Sequence, residues 1–139
     1  MRTPQEIIDF LYEYLSNSDL KKIISGDIYP RKKPKNSQKE DVVVGGISFS
    51  GDSVQRGTMN VNIYIPEISV KIDNEYQMQP NGPRMREIEA VAIPLLRELY
   101  FGGDCSVWST GYTEIKEPEL AVWKVNIRLE VRIHDTDKQ

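Results

Sequence analysis

The clearest structural pattern in the chain is Trp123-Lys124-Val125-Asn126-Ile127-Arg128-Leu129-Glu130-Val131-Arg132-Ile133. Apolar and polar residues alternate along this run without a break. A period of two places the apolar side chains on one face of a β-strand and the polar side chains on the other. So long a strand with one apolar face is typical of the centre of a sheet, so we expect helices to pack on that face.

Two antiparallel hairpins are expected to contribute most of the sheet. The C-terminal hairpin joins residues 105–115 to residues 121–134 through a short polar loop. The other joins residues 42–49 to residues 58–65 across a turn-like region at 51–53, and apolar residues alternate along its second strand. Gly45-Gly46 in the first strand indicates a β-bulge or a close approach of another backbone segment.

An N-terminal helix is indicated by Thr3-Pro4-Gln5-Glu6, which has the layout of a capping box with proline in the first helical position. Apolar residues then recur at three- and four-residue spacing up to Leu15. A breaker cluster at 16–19 follows, then one further helical turn at 20–24 and a short strand at 27–29.

A second helix is predicted to begin at Pro83, because apolar residues repeat at helical spacing from Met85 to Leu99. Gly102-Gly103 marks its expected end. Pro94 is expected to kink this helix, since proline removes one backbone hydrogen bond and crowds the preceding turn. The connection before this helix, residues 66–83, is expected to be irregular and to contain one short extra strand.

These elements predict the α+β class, with two helices packed on one face of a mostly antiparallel sheet in the order α-β-β-β-α-β-β. The length of 139 residues and a composition of 39% apolar and 28% charged residues are typical of one globular domain spanning residues 1–139. The chain contains no run approaching the roughly 20 apolar residues of a membrane span, and its N-terminus lacks an apolar signal sequence. We therefore expect a cytosolic protein.

Residues that could perform chemistry are few. His134, the one histidine, is expected at the solvated end of a strand, and Cys105, the one cysteine, is expected to be a small buried residue. Together they cannot form a disulfide or a structural zinc site.

The carboxylates of Glu87 and Glu89 diverge around a helix, and Glu117 with Glu119 lies in a loop. Neither glycine pair has the spacing of a phosphate-binding loop. We expect no cofactor and no enzymatic activity.

Residues 31–41, here called the basic arm, are predicted to form an exposed, mobile loop. The segment 31–39 has five basic residues and no acidic one, although the whole chain has a net charge of −3. The rest of the chain is therefore distinctly acidic, which argues against a general nucleic-acid-binding protein. Phosphate contact by the arm stays open, but the arm has no aromatic residue on which a base could stack.

The polar face of the long strands has two interpretations, a solvated surface or a contact between subunits, and the sequence does not separate them. Together with the basic arm, this face supplies the candidate interface residues, which are Arg31, Lys32, Lys33, Lys35, Lys39, Tyr64, Lys124, Arg128 and Arg132.

The layout resembles that of a family of phage proteins. It combines the capped N-terminal helix, Gly26-Asp27-Ile28-Tyr29-Pro30 after it, a hairpin ending in Asn60-Val61-Asn62-Ile63-Tyr64-Ile65-Pro66, a second helix and the closing strand from Trp123. In this respect the chain is similar to the tail terminator, or tail completion, proteins of long-tailed bacteriophages and prophages. The resemblance is one of layout over nearly the whole chain and includes no diagnostic motif.

The resemblance implies a non-enzymatic structural protein that forms a homo-oligomeric ring, and in keeping with the family it implies six subunits. Such a ring ends the tail tube and joins it to the head connector, so the protein would be found in the host cytoplasm during assembly and then in the virion. DNA would meet the protein only by passing through the ring. Two alternatives stay open: another head–tail connector or virion protein, and a small enzyme or ligand-binding domain with an unrecognised pocket.

Overall fold

The computed structural model describes residues 2–50 and 54–134 of the chain. Within these residues the elements follow the order α1 (Pro4–Ser16), α2 (Asp19–Ile23), β1 (Ile28–Pro30), β2 (Val42–Phe49), β3 (Val54–Pro66), β4 (Ile68–Ile72), β5 (Glu75–Gln79), α3 (Gly82–Leu95), β6 (Glu98–Phe101), β7 (Cys105–Lys116) and β8 (Val122–His134). The predicted order lacked β6 and did not count α2, which was expected only as a further helical turn at 20–24; in the connection before α3 it foresaw one short strand and not two.

The main sheet has six strands in the spatial order β1-β2-β3-β8-β7-β6. Strand β1 runs parallel to β2, and the other neighbouring strands are antiparallel. Strand β8 lies between β3 and β7, so the long alternating run is an interior strand, as predicted. The α+β class with a mostly antiparallel sheet is confirmed.

The alternation in β8 corresponds to its burial. Val125, Ile127 and Leu129 are at most 1% exposed, whereas Arg128 and Arg132 are exposed. The buried residues of β8 join one hydrophobic cluster that also contains the inward residues of β3 and apolar residues of all three helices. Burial of each large aliphatic side chain stabilises the fold by roughly 1.5–3 kcal/mol, so this strand and its neighbours supply much of the core.

Helix α1 begins with the predicted capping box. The Glu6 amide donates to Thr3 Oγ1 at 3.2 Å, and the Thr3 amide donates to Glu6 Oε1 at 3.3 Å. Tyr14, near the end of the helix, donates its hydroxyl hydrogen to the Leu95 carbonyl at 2.8 Å. This bond joins α1 to the C-terminal end of α3.

Helix α3 ends at Leu95, and the prediction that it continues to Gly102-Gly103 is wrong. Residues 98–101 instead form β6, the edge strand beside β7. Leu99 is only 9% exposed and contributes to the same core from the strand, which explains why the helical spacing of apolar residues continues past the helix. Pro94 lies in the last turn of the helix.

The bulge expected at Gly45-Gly46 is confirmed, because the register between β2 and β3 shifts between Gly45 and Ser48. Gly46 has φ of +67°, a conformation that favours glycine. A Cβ atom at this position would also lie 2.9 Å from Nδ2 of Asn60. Strand β3 begins at Val54, earlier than the predicted start at Thr58, and the turn expected at 51–53 lies outside the described residues.

The connection before α3 contains two strands where one was expected. Strands β4 and β5 form a separate two-stranded sheet, the β4–β5 hairpin, which does not join the main sheet. Its turn residues Asp73 and Asn74 both have positive φ, at 50° and 64°, as in the tight turns that suit the twist of a hairpin. In the part of the chain that the structure describes, no helix has both the length and the apolar character needed to cross a membrane.

Candidate assembly surface

The basic arm contacts the fold at both ends and in its middle. Next to β1, the Arg31 amide donates to the Val44 carbonyl at 2.7 Å, and its guanidinium donates to Gln5 Oε1 at 3.1 and 3.3 Å. Further along, Lys33 Nζ lies 4.8 Å from the centroid of the Tyr64 ring, a cation–π distance. Three predicted interface residues, Arg31, Lys33 and Tyr64, are thus tied to the fold. The mobility of the arm stays a prediction.

The last two residues of the basic arm, 40 and 41, are buried. The prediction that the arm is exposed is therefore wrong for these two residues. Glu40 is 8% exposed and forms an ion pair with Arg84, and Asp41 is 1% exposed. Asp41 accepts a hydrogen bond from the Asp27 amide, and its carbonyl accepts one from the Tyr64 amide. Sequence patterns did not reveal these residues because buried acidic residues contribute nothing to a hydrophobic period.

A cleft opens between the arm, the end of β3, the β4–β5 hairpin and the β7–β8 loop. It has a volume of about 460 Å³, and its lining includes Lys33, Lys35, Tyr64, Met78 and Leu120. A second hollow of about 510 Å³ shares Lys33, Lys35 and Tyr64 with it. We call the two hollows together the lysine cleft. Lys32 lines the second hollow, whereas Lys39 is exposed and lines neither.

Two acidic residues at the lysine cleft have partners, and one of them, Glu67, lines the cleft itself. Glu67 accepts a hydrogen bond from the Trp123 indole at 2.9 Å and lies 3.8 Å from Lys116 Nζ. Glu117 Oε1 lies 3.2 Å from Nζ of Lys124, a predicted interface residue. These carboxylates are therefore engaged with basic or indole groups that do not belong to the arm.

The other predicted interface residues are spread along the outward side of β8. Lys124 lies opposite Tyr64 of β3, near the lysine cleft, whereas Arg132 lies opposite Arg56 towards the other end of the strand. Between them, the Asn126 amide nitrogen donates to Asn60 Oδ1 at 3.1 Å and to Asn62 Oδ1 at 2.7 Å. The structure thus brings the arm, Tyr64 and Lys124 together and leaves Arg128 and Arg132 apart from them.

The β4–β5 hairpin is the main surface that sequence reasoning missed. It exposes apolar side chains, with exposed fractions of 74% for Tyr76, 51% for Met78, 38% for Ile68 and 36% for Ile72. The alternation of Ile68, Val70 and Ile72 was a visible signal for its first strand. The second strand gave little signal because none of its side chains is buried.

Of the residues considered for chemistry, His134 is exposed at the end of β8 and Cys105 is buried, as expected. Burial raises the pKa of the Cys105 thiol to about 11. Glu89 interacts with Glu114 of β7, a partner distant in sequence, and not with Glu87. Burial, then a hydrogen bond with Glu114, raises the pKa of Glu89 to about 7. The pair therefore holds a proton near neutral pH.

No protein-family model matches the chain, and no curated protein matches it significantly.

Proposed function

We propose that this chain is a non-enzymatic structural subunit of a phage or prophage tail, which forms a ring that ends the tail tube and joins it to the head. The observation that carries the proposal is the β4–β5 hairpin. A two-stranded hairpin is marginally stable alone in water. This one forms a sheet separate from the main one and leaves Tyr76 and Met78 more than half exposed. A neighbouring subunit or tail protein would cover such a surface.

The rest of the fold supports the same role. We infer that the helices cover one face of the main sheet, which leaves the outward face of β3 and β8 for contacts. That face combines the amide cluster of Asn60, Asn62 and Asn126 with the exposed Arg128 and Arg132. A hairpin of one subunit packed on a different surface of the next makes a head-to-tail contact, and such contacts form rings when the rotation closes.

The resemblance of the sequence layout to tail terminator proteins is what suggests a place for this assembly at the end of the tail tube. The direct test uses purified tail tubes of the phage or prophage that encodes the chain, mixed with the protein and imaged by negative-stain electron microscopy. We expect rings at one end of each tube, and we expect that added tube protein no longer elongates the capped end.

A hairpin variant and a control variant test whether capping of tail tubes depends on the β4–β5 hairpin. Ile72→Ser with Tyr76→Ser alters two exposed hairpin side chains, so it should fold normally and fail to cap tubes. Tyr112→Ser, which alters an exposed tyrosine of β7, should cap tubes like the unmodified protein. Binding to isolated head connectors without binding to tube ends would support the alternative role of another connector protein and contradict the terminator role.

A further inference from the structure

The lysine cleft combines a positive rim with an apolar lining. Lys32, Lys33 and Lys35 line it, and so do Met78 and Leu120, each about half exposed. We propose that the lysine cleft binds an acidic peptide segment of a partner protein, with carboxylates on the lysines and one apolar side chain against Met78 and Leu120. This inference goes beyond the tail role and does not depend on it.

The positive charge of the arm is not paired with a carboxylate of the described residues, so it is available to an external partner. Among residues 2–50 and 54–134, no carboxylate lies within 4.0 Å of the side-chain nitrogens of Arg31, Lys32, Lys33 or Lys35. The nearby carboxylates of Glu67 and Glu117 are already engaged with Lys116 and Lys124. Like charges held together repel one another, and a ligand of opposite charge relieves that repulsion and is attracted from solution.

The shape and surroundings of the cleft favour a peptide over duplex DNA. DNA-binding surfaces carry a broad basic face, because a duplex presents about one negative charge per 1.7 Å of its axis. The segments that contribute to this cleft also carry carboxylates, with Glu67 in the lining, Asp73 and Glu75 on the hairpin and Glu117 and Glu119 on the β7–β8 loop. A duplex would bring many phosphates towards those carboxylates, whereas a short peptide can place its few carboxylates on the lysines alone.

The apolar residues of the cleft lining provide the second element of recognition. Met78 and Leu120 come from two different segments, the β4–β5 hairpin and the β7–β8 loop, and both line the same hollow. Methionine adapts its shape to varied apolar partners. A peptide with leucine between glutamates can therefore use both parts of the cleft, whereas a phosphate backbone can use only the lysines.

The test is fluorescence anisotropy with a fluorescein-labelled peptide in which glutamate and leucine alternate. We expect saturable binding that weakens as salt is raised from 50 to 300 mM, because screening reduces the attraction of exposed charges. The triple variant Lys32→Ala, Lys33→Ala, Lys35→Ala should bind about tenfold more weakly, a value consistent with three partly exposed ion pairs. Met78→Ser with Leu120→Ser should weaken binding severalfold and leave its salt dependence unchanged.

The matched control removes three positive charges elsewhere, with Lys22→Ala, Arg86→Ala and Arg97→Ala, and should bind within about twofold of the unmodified protein. Thermal unfolding of every variant checks the fold. Equal losses in the triple variant and the control would overturn the proposal, because they would show an effect of net charge alone. Tighter binding of a labelled DNA duplex than of the peptide would also overturn it. Neither result depends on whether the protein caps tail tubes.

Discussion

Arg84 of α3 donates two parallel hydrogen bonds to Glu40 at the end of the basic arm, from Nε to Oε2 at 2.6 Å and from Nη2 to Oε1 at 2.7 Å. The same guanidinium also donates to the Ile23 carbonyl at the end of α2. The Ser25 amide donates to Glu40 Oε1 at 3.0 Å. One ion pair thus fastens the end of the arm to two helices.

Replacement of Glu40 by glutamine should lower the free energy of unfolding by about 2 kcal/mol at pH 7, because it leaves the Arg84 guanidinium without its charged partner. Urea unfolding followed by circular dichroism measures the change. Asp19→Asn is the control: it weakens the exposed pair of Asp19 with Lys22 and should cost less than about 0.5 kcal/mol. Equal effects of the two substitutions would contradict the role given to Glu40.

The Glu40 pair should also depend on pH. Burial alone would raise the pKa of Glu40, but hydrogen bonds from Arg84 and from the Ser25 amide outweigh burial and lower the pKa below its ordinary value of 4.5. The stabilisation is therefore present above pH 4.5 and is lost as pH falls through the lowered pKa. The difference between the unmodified protein and Glu40→Gln should shrink below pH 4. A difference that stays constant from pH 7 to pH 3 would contradict this explanation.

The Glu89–Glu114 pair predicts the opposite pH dependence. Because the pKa of Glu89 is raised to about 7, the folded protein keeps a proton that the unfolded chain releases near pH 4.5. Stability is therefore lost as pH rises from about 4.5 to 7. Glu89→Gln should raise the free energy of unfolding by about 1 kcal/mol at pH 8, once solvent screening of this half-buried carboxyl is included, and by much less at pH 5.

Urea unfolding at pH 5 and pH 8 checks the Glu89 prediction. The control Glu119→Gln alters an exposed carboxylate in the β7–β8 loop and should change the free energy of unfolding by less than about 0.5 kcal/mol at both pH values. If Glu89→Gln gives the same change at pH 5 and pH 8, the two carboxyls do not share a proton in the folded protein.

Cys105 should resist thiol reagents until the protein unfolds. The residue is 2% exposed, and burial raises the pKa of its thiol to about 11, so little of the reactive thiolate exists at pH 8. The reaction with 5,5′-dithiobis(2-nitrobenzoate), followed by absorbance, should be more than about a hundredfold slower in buffer than in concentrated urea. Equal rates in the two solutions would mean that the start of β7 is open to solvent.

Hydrophobic spacing predicted those elements that pack against the core. Strand β8 was recognisable because burial of Val125 and Ile127, but not of their neighbours, requires alternating apolar residues. Helix α1 was recognisable because a capping box precedes its apolar stripe. The same spacing gave a wrong helix boundary where a helix and the strand after it both contribute apolar residues to the core. Leu99 extended the helical pattern although it belongs to β6.

The candidate surface was less predictable, because its important contacts join residues distant in sequence. The five basic residues of the arm were visible, but the ion pair of Glu40 with Arg84 and the packing of Lys33 on Tyr64 depend on the tertiary fold. The second strand of the β4–β5 hairpin gave little signal because none of its side chains is buried. Glu89 was paired in sequence with Glu87, whereas its partner Glu114 lies on another strand.

The central claim, that this chain works by assembly through its exposed hairpin, is tested most directly by multi-angle light scattering after size-exclusion chromatography. The measurement compares the unmodified protein, Ile72→Ser with Tyr76→Ser, and Tyr112→Ser over a hundredfold range of concentration. We expect the unmodified protein and Tyr112→Ser to reach a discrete mass several times that of one chain, near six for a tail ring, and the hairpin variant to stay at one chain mass. A single-chain mass for all three proteins at every concentration would contradict the account.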